Sequence, residues 1–119
     1  MTTLYLSGPM TGLPEHNHPA FHTAAAALRA AGYTVVNPAE LHQTEPGNWL
    51  ACMWTDLAAM AAARPDGIAY LPGWPHSQGA RTEVQLIWNL RLDAWDVPTW
   101  LAMAAQTHPA NPNTHHAAP

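Results

Sequence analysis

Residues 67–92 read GIAYLPGWPHSQGARTEVQLIWNLRL. The opening stretch, Gly67 to Leu71, has no charged interruption, as in a strand covered on both faces. The loop PGWPHSQG ends that strand, and ARTEVQLIWNLRL then sets Val84, Ile87, Trp88 and Leu92 on one helical face against Arg81, Gln85 and Asn89 on another. Strand, loop and helix in direct succession make half of a crossover unit. The same order recurs upstream. Leu4 to Leu6 form a short apolar strand that stops at SGPMTG, and PAFHTAAAALRAAGY follows at helical spacing with Gly32 as its stop. Val35 and Val36 then make a second strand, closed by Pro38. After the polar loop HQTEPGN, the segment WLACMWTDLAAMAAA reads as an alanine-rich helix ending at Arg64 and Pro65. A last strand is expected near Val97, with a short helix or turn around Trp100 to Ala105.

This β-α-β-α-β-α-β order predicts an α/β fold, a three-layer α/β/α sandwich with a parallel sheet of four or five strands, Rossmann-like or flavodoxin-like in its winding. Ligands in such folds sit beyond the carboxyl ends of the strands. That rule singles out Ser7 to Gly12, Asn37 to Asn48, and Pro72 to Gly79. Residues 1–106 read as this domain, and the polar, proline-containing stretch 107–119 as a disordered tail.

A chain of 119 residues is long enough for one core, hiding roughly two thirds of its unfolded surface. The single cysteine, Cys52, has no internal disulfide partner and reads as a buried thiol in a reducing compartment. No run approaches the roughly 18 apolar residues of a membrane span, and the basic-then-apolar layout of a secretion signal is missing. A soluble, cytoplasmic protein is expected. There is no lysine, and four arginines, Arg29, Arg64, Arg81 and Arg91, stand against eight acidic residues. Nucleic acid polymers, whose phosphates need clustered cations, are therefore not expected as partners.

Ser77 is placed to cap the helix that follows it, with the amides of Gly79 and Ala80 at the positive end of the helix dipole, where an anion is favoured. Glu83 follows six residues after Ser77, about one and a half turns along, and leans back toward the same cavity. Asp56 lies inside the alanine-rich helix, where it is either solvent-facing or aimed at the sheet edge. Asp66 falls at the opposite edge and reads as a turn residue. His16, His18 and His22 lie close together, yet their spacing matches no standard zinc pattern, so no metal is expected. The six tryptophans exceed what a small core easily encloses, so most read as packing and some as part of a subunit contact. Trp74 reads either as an aromatic that stacks on a planar base or as a loop anchor.

Taken in order, YLSGPMTG, LRAAGYTVVNPAE, the helix carrying TDLAAM, and DGIAYLPGW with SQGARTE resemble the nucleoside 2-deoxyribosyltransferase-like superfamily, and most closely its small phage and bacterial members of unassigned function. The resemblance covers about residues 3 to 92. It implies that Glu83 is a nucleophile attacking the anomeric carbon, that Asp56 handles the proton of the leaving base, and that Tyr5 orients Glu83. It further implies that Gly8, Pro9, Met10 and Gly12, together with Ser77, Gly79 and Ala80, line the sugar or phosphate pocket, with the glycine turn letting main chain approach a nucleotide.

Serine at position 77, where the transferases carry aspartate, resembles the branch that hydrolyses nucleoside 5′-monophosphates, whereas Thr11 stands near the place where hydrolases often have arginine. The leading expectation is a nucleotide N-glycosidase. Base exchange by a deoxyribosyltransferase is the second, and a non-catalytic nucleotide-binding or sensing protein the third. The resemblance also implies a homodimer or larger homo-oligomer and no cofactor.

Overall fold

The computed structural model describes residues 2–41 and 48–107. Four strands are described: β1 (Thr3–Ser7), β2 (Thr34–Val36), β3 (Gly67–Tyr70) and β4 (Asp93–Asp96). They form one parallel sheet in the order β2-β1-β3-β4. Four helices alternate with them: α1 (His18–Ala30), α2 (Trp49–Ala63), α3 (Gln78–Asn89) and α4 (Val97–Thr107).

Strand alternation divides the core between the two sheet faces. Leu4 and Leu6 face one way and join Val35, Ala69 and Leu71 against Phe21, Ala25 and Leu28 of α1 and Trp100 of α4. Tyr5 faces the other way, with Ile68 and Ala94, against Met60 of α2 and Val84 and Ile87 of α3. The result is the three-layer sandwich, with α1 and α4 on one side and α2 and α3 on the other. The winding reverses between β1 and β3, the neighbours whose helices leave toward opposite faces, and that is where a crevice opens.

Helix ends follow local chemistry. At the end of α1, the amide of Tyr33 donates to the Leu28 carbonyl across Gly32, whose φ is 107°. At the end of α3, the Leu92 amide donates to the Ile87 carbonyl in the same way, but the left-handed residue is Arg91, at φ 62°. This helix therefore stops at Asn89 rather than continuing to Leu92, with no glycine to mark the stop. The strand expected near Val97 lies instead at Asp93–Asp96, and Val97 opens a helix of 11 residues. The reason is a cap: Asp96 Oδ1 accepts from the Thr99 amide at 2.8 Å, and Pro98 suits a first turn. Asp66 ties the opposite edge together, accepting from the Thr3 amide at 2.8 Å. The expectations for residues 42–47 and for the tail fall outside the described residues, among which no helix is long and apolar enough to cross a membrane.

Gly67 marks the tightest approach in the sheet. A Cβ there would lie 2.7 Å from the Asp93 carbonyl oxygen and 2.8 Å from Trp100 Cζ2, an indole whose Nε1–H donates to the Ile68 carbonyl at 2.9 Å. Gly67→Ala is expected to lower stability by about 1–3 kcal/mol through overpacking, read as a reduced urea midpoint. Gly12→Ala, with open space around its Cβ but a φ of 81°, should cost only the backbone strain of about 1–2 kcal/mol.

Candidate active site

The site starts with the cap of α3. Ser77 is extended, and its Oγ accepts from the Ala80 amide at 3.2 Å, which fixes where the helix begins. The buried stripe of α3 is then Ala80, Glu83, Val84 and Ile87, so a carboxyl occupies a position that helical spacing assigns to the core. Glu83 is only 4 % exposed.

A buried carboxyl needs partners. They come from β1, where Tyr5 and Ser7, two residues apart, share a sheet face. Tyr5 Oη donates to Glu83 Oε2 at 3.0 Å, and Ser7 Oγ donates to Oε1 at 2.5 Å. Asp56 arrives from α2, whose buried row is Met53, Asp56 and Met60, and it is hydrogen-bonded to both Glu83 and Tyr5. The solvent-facing alternative for Asp56 is thereby excluded: it is 9 % exposed.

Burial dominates the titration of this cluster. It pushes the Glu83 carboxyl up to about 8, helped by the charge of Asp56 and opposed by the hydroxyls of Ser7 and Tyr5. Burial also lifts Asp56 to about 7, against its hydrogen bonds with Glu83 and Tyr5. The Tyr5 phenol is raised well above its ordinary value, first by burial and then by the two acids, so it remains a donor. Two carboxyls in hydrogen-bonding contact cannot easily both ionise, and near neutral pH they share a proton. Burial favours the proton on Glu83, and the hydroxyls of Ser7 and Tyr5 oppose it by favouring the ionised form of that carboxyl.

Asp56 and Glu83 of this cluster line a cavity of about 660 Å³. Of the residues expected to bind substrate, Gly8, Met10, Gly12, Ser77, Gly79 and Ala80 line it, together with Asp56 and Glu83. Tyr5 lies fully buried beneath them.

Three of these loop residues also have packing roles of their own. Pro9 is turned toward the loop after β3: its carbonyl accepts from Asn17 Nδ2 at 2.9 Å, and a Cβ on Gly73 would meet its Cγ at 3.4 Å. Gly8 is required by the protein's own packing, because a Cβ there would lie 2.8 Å from Leu71 Cβ. Trp74 is a loop anchor, its ring centroid 4.9 Å from Tyr70 and 6.1 Å from Trp88.

Sequence reasoning missed Ser7, although a polar residue two positions after Tyr5 in an apolar strand was a usable signal. It also missed Trp49, Cys52 and Met53, which line the cavity from α2. Their spacing from Asp56 in steps of three and four was the signal there. Among the described residues, no group of three or more His, Cys, Asp or Glu side chains is arranged to hold a metal ion.

The structure is thus an α/β protein with a buried carboxyl pair at the winding reversal of its parallel sheet, beside a cavity that is its candidate site. The chain belongs to the family described as Domain of unknown function (DUF4406), whose model matches residues 2–95. No curated protein matches the chain.

The raised carboxyls make stability depend on pH with a definite sign. The folded state holds protons that the unfolded chain, with ordinary acids near pH 4, has released. Their stabilising contribution is complete below pH 4 and is lost as pH rises through 7 to 8. Urea midpoints are expected to fall from pH 5 to pH 8, by up to about 1.4 kcal/mol per pH unit for each retained proton. Glu83→Gln should flatten that slope and be more stable than the parent at pH 8.

Proposed function

We propose that this protein cleaves the N-glycosidic bond of a nucleoside 5′-monophosphate through a covalent glycosyl-glutamate, as its resemblance to the nucleoside 2-deoxyribosyltransferase-like superfamily implies. The observation that supports this reading is the Glu83 carboxyl, with one oxygen held by Tyr5, the other by Ser7, and Asp56 in contact beside it. A solvated acid has no need of that arrangement, and a merely structural one has no need of a second carboxyl beside it.

The chemistry requires the shared proton on Asp56 and the charge on Glu83, the distribution that the Ser7 and Tyr5 hydroxyls favour and that burial of Glu83 opposes. A Glu83 oxygen attacks the anomeric carbon while the C–N bond breaks, and the bonding electron pair leaves with the base. The proton on Asp56 passes to a nitrogen of the departing base. In the second half, Asp56, now ionised, takes a proton from water as the water oxygen displaces Glu83 from the sugar. Hydroxyl donors to Glu83 steady its charge in the ground state and make it a competent leaving group in the second step. Trp49, Met53 and Phe21 give the cavity the apolar wall that a planar base requires.

Self-association is part of the same proposal. Helix α2 buries only Met53, Asp56 and Met60, and leaves Leu50 and Trp54 55 % and 64 % exposed one turn apart. Sedimentation at micromolar concentration is expected to give at least a dimer, and Trp54→Glu to shift it toward monomer. A monomeric parent would remove this part of the reading.

Incubation with a panel of ribo- and deoxyribonucleoside 5′-monophosphates should release free base. Glu83→Ala should reduce the rate by about a thousandfold or more, and Asp56→Asn by about 10²–10⁴-fold, least for bases that leave readily. Adding a second free base tests for exchange. Tight binding by calorimetry with no base released would favour a nucleotide-binding protein instead.

A further inference from the structure

Two hydroxyls from one strand hold Glu83, and they are not equivalent. Tyr5 is bonded to both acids, Glu83 and Asp56. A phenol has one proton to donate, so Tyr5 steadies charge on either carboxyl without choosing between them. Ser7 makes the shorter contact: its Oγ lies 2.5 Å from Glu83 Oε1, against 3.0 Å from Tyr5 Oη to Oε2. A separation of that size is typical of a hydroxyl donating to an ionised oxygen. We propose that Ser7 is a positioning residue that holds the negative charge of the carboxyl pair on Glu83 and so leaves the shared proton with Asp56. The inference rests on the glycosidase reading above and assigns the division of roles between its two acids to one strand hydroxyl.

The setting of Ser7 supports this. It ends β1 fully buried, with its main-chain carbonyl accepting from the Leu71 amide at 2.8 Å. Sheet interiors favour branched and aromatic side chains, and a buried hydroxyl costs stability unless it is bonded. The bond that satisfies this one goes to Glu83. Strand alternation places the hydroxyl on the face of Tyr5, and the Ser77 cap fixes the turn of α3 on which Glu83 meets it. Burial pushes the Glu83 carboxyl up, and of the two hydroxyls that oppose burial Ser7 does so more strongly.

The consequence of losing Oγ follows directly. Oε1 of a buried carboxylate is left without this donor, a state that protonation of Glu83 relieves. The proton then comes from Asp56, and the charge moves there. Both roles fail together: a protonated Glu83 is a poor nucleophile, and an ionised Asp56 has no proton for the departing base.

The titratable groups around Glu83 come from several elements. Tyr5 of β1 and Asp56 of α2 touch it, and Cys52 of α2 lines the same cavity. His16, His18, His22 and Glu40 line that cavity as well, from α1, the turn before it and the segment after β2. On α3 itself, Arg81 donates to the Pro75 carbonyl at 2.9 Å. The strands β3 and β4 pack uncharged Ile68 and Ala94 into the cluster that includes Val84 and Ile87 of α3.

Carbon-13 NMR of the full chain, labelled at its aspartate and glutamate carboxyls, reads the ionised fraction of each acid separately; Glu83→Gln and Asp56→Asn assign the two signals. Within a singly protonated pair the ratio of charge on one acid to charge on the other does not depend on pH, so it isolates the split from any general displacement of the titration. Ser7→Ala is expected to lower the ratio of charge on Glu83 to charge on Asp56 by at least about tenfold, the effect of one hydrogen bond to a charged group. Tyr5→Phe removes a donor that serves both acids and should change the ratio by less than about threefold. Ser7→Thr keeps the hydroxyl and should keep the ratio. Ser7→Cys, close to serine in size but a weak donor, should behave as Ser7→Ala and replaces it if the alanine variant does not fold. With the nucleoside 5′-monophosphate panel, Ser7→Ala should lower kcat by about tenfold or more at unchanged KM, and Ser7→Thr should restore it.

An unchanged charge ratio in Ser7→Ala or Ser7→Cys overturns the proposal, as does a ratio in Tyr5→Phe that falls as far as in Ser7→Ala. A displaced charge in a protein that releases no base from any nucleotide would leave the role of Ser7 standing and remove the glycosidase reading. Base release by the parent, with the ratio and kcat both unchanged in Ser7→Ala, would do the reverse.

Discussion

The carboxyl of Glu83, buried and gripped by two hydroxyls from β1, is the constraint on which the arrangement of the molecule turns. An acid at a core position of a helix is tolerated only if its oxygens are satisfied. Tyr5 and Ser7 can do this together because residues two apart on a strand share a face. Their register is not free to slip, since Leu4 and Leu6 are fully buried on the other side against α1. A shift of one residue would turn those leucines onto the carboxyl and both hydroxyls into the apolar layer. The hydrophobic core on one face of the sheet thus sets the polar cluster on the other.

The winding of the sheet supplies the space. With β1 and β3 adjacent and their helices leaving toward opposite faces, the loops beyond their ends diverge, and nothing in the sheet itself fills the gap. Into that gap come the first turns of α1, α2 and α3. Each brings a different chemistry: imidazoles from α1 and the turn before it, an indole, a thioether and an acid from α2, a cap and an acid from α3. The cavity lining therefore combines acids and imidazoles with apolar side chains, and none of the four arginines is part of it.

Much of the fold was legible because its signals are local. The four strands, the alternation with helices, the parallel sheet and the Ser77 cap each follow from a short window of residues. The end of α3 and the position of β4 were not legible, since Arg91 takes a left-handed conformation with no glycine to announce it, and the cap at Asp96 outweighs the β-propensity of Val97. At the site, Glu83 and Asp56 stood out as acids within apolar patterns. Their contact is a relation between two helices separated along the chain, and only tertiary structure reveals that Asp56 faces inward. The glycines of SGPMTG carry two demands that sequence alone does not separate: Gly8 admits the approach of Leu71 and Gly12 takes a positive φ, while both line the cavity.

Several of this chain's departures from local preference lie around one cavity. A carboxyl pair is buried where apolar residues would be more stable, three consecutive residues adopt left-handed backbone, and α2 turns leucine and tryptophan outward. A sequence selected for folding alone would repair each of these, and none of them supports another energetically. Two of the three border the same cavity, and the third lies on the helix that carries Asp56 to it. Arg64 and Arg91 take left-handed backbone as stops at helix ends away from the cavity, whereas the turn at Glu15 to Asn17 and the buried acids border one hollow, the pattern expected where the geometry of a site outweighs the stability of the fold.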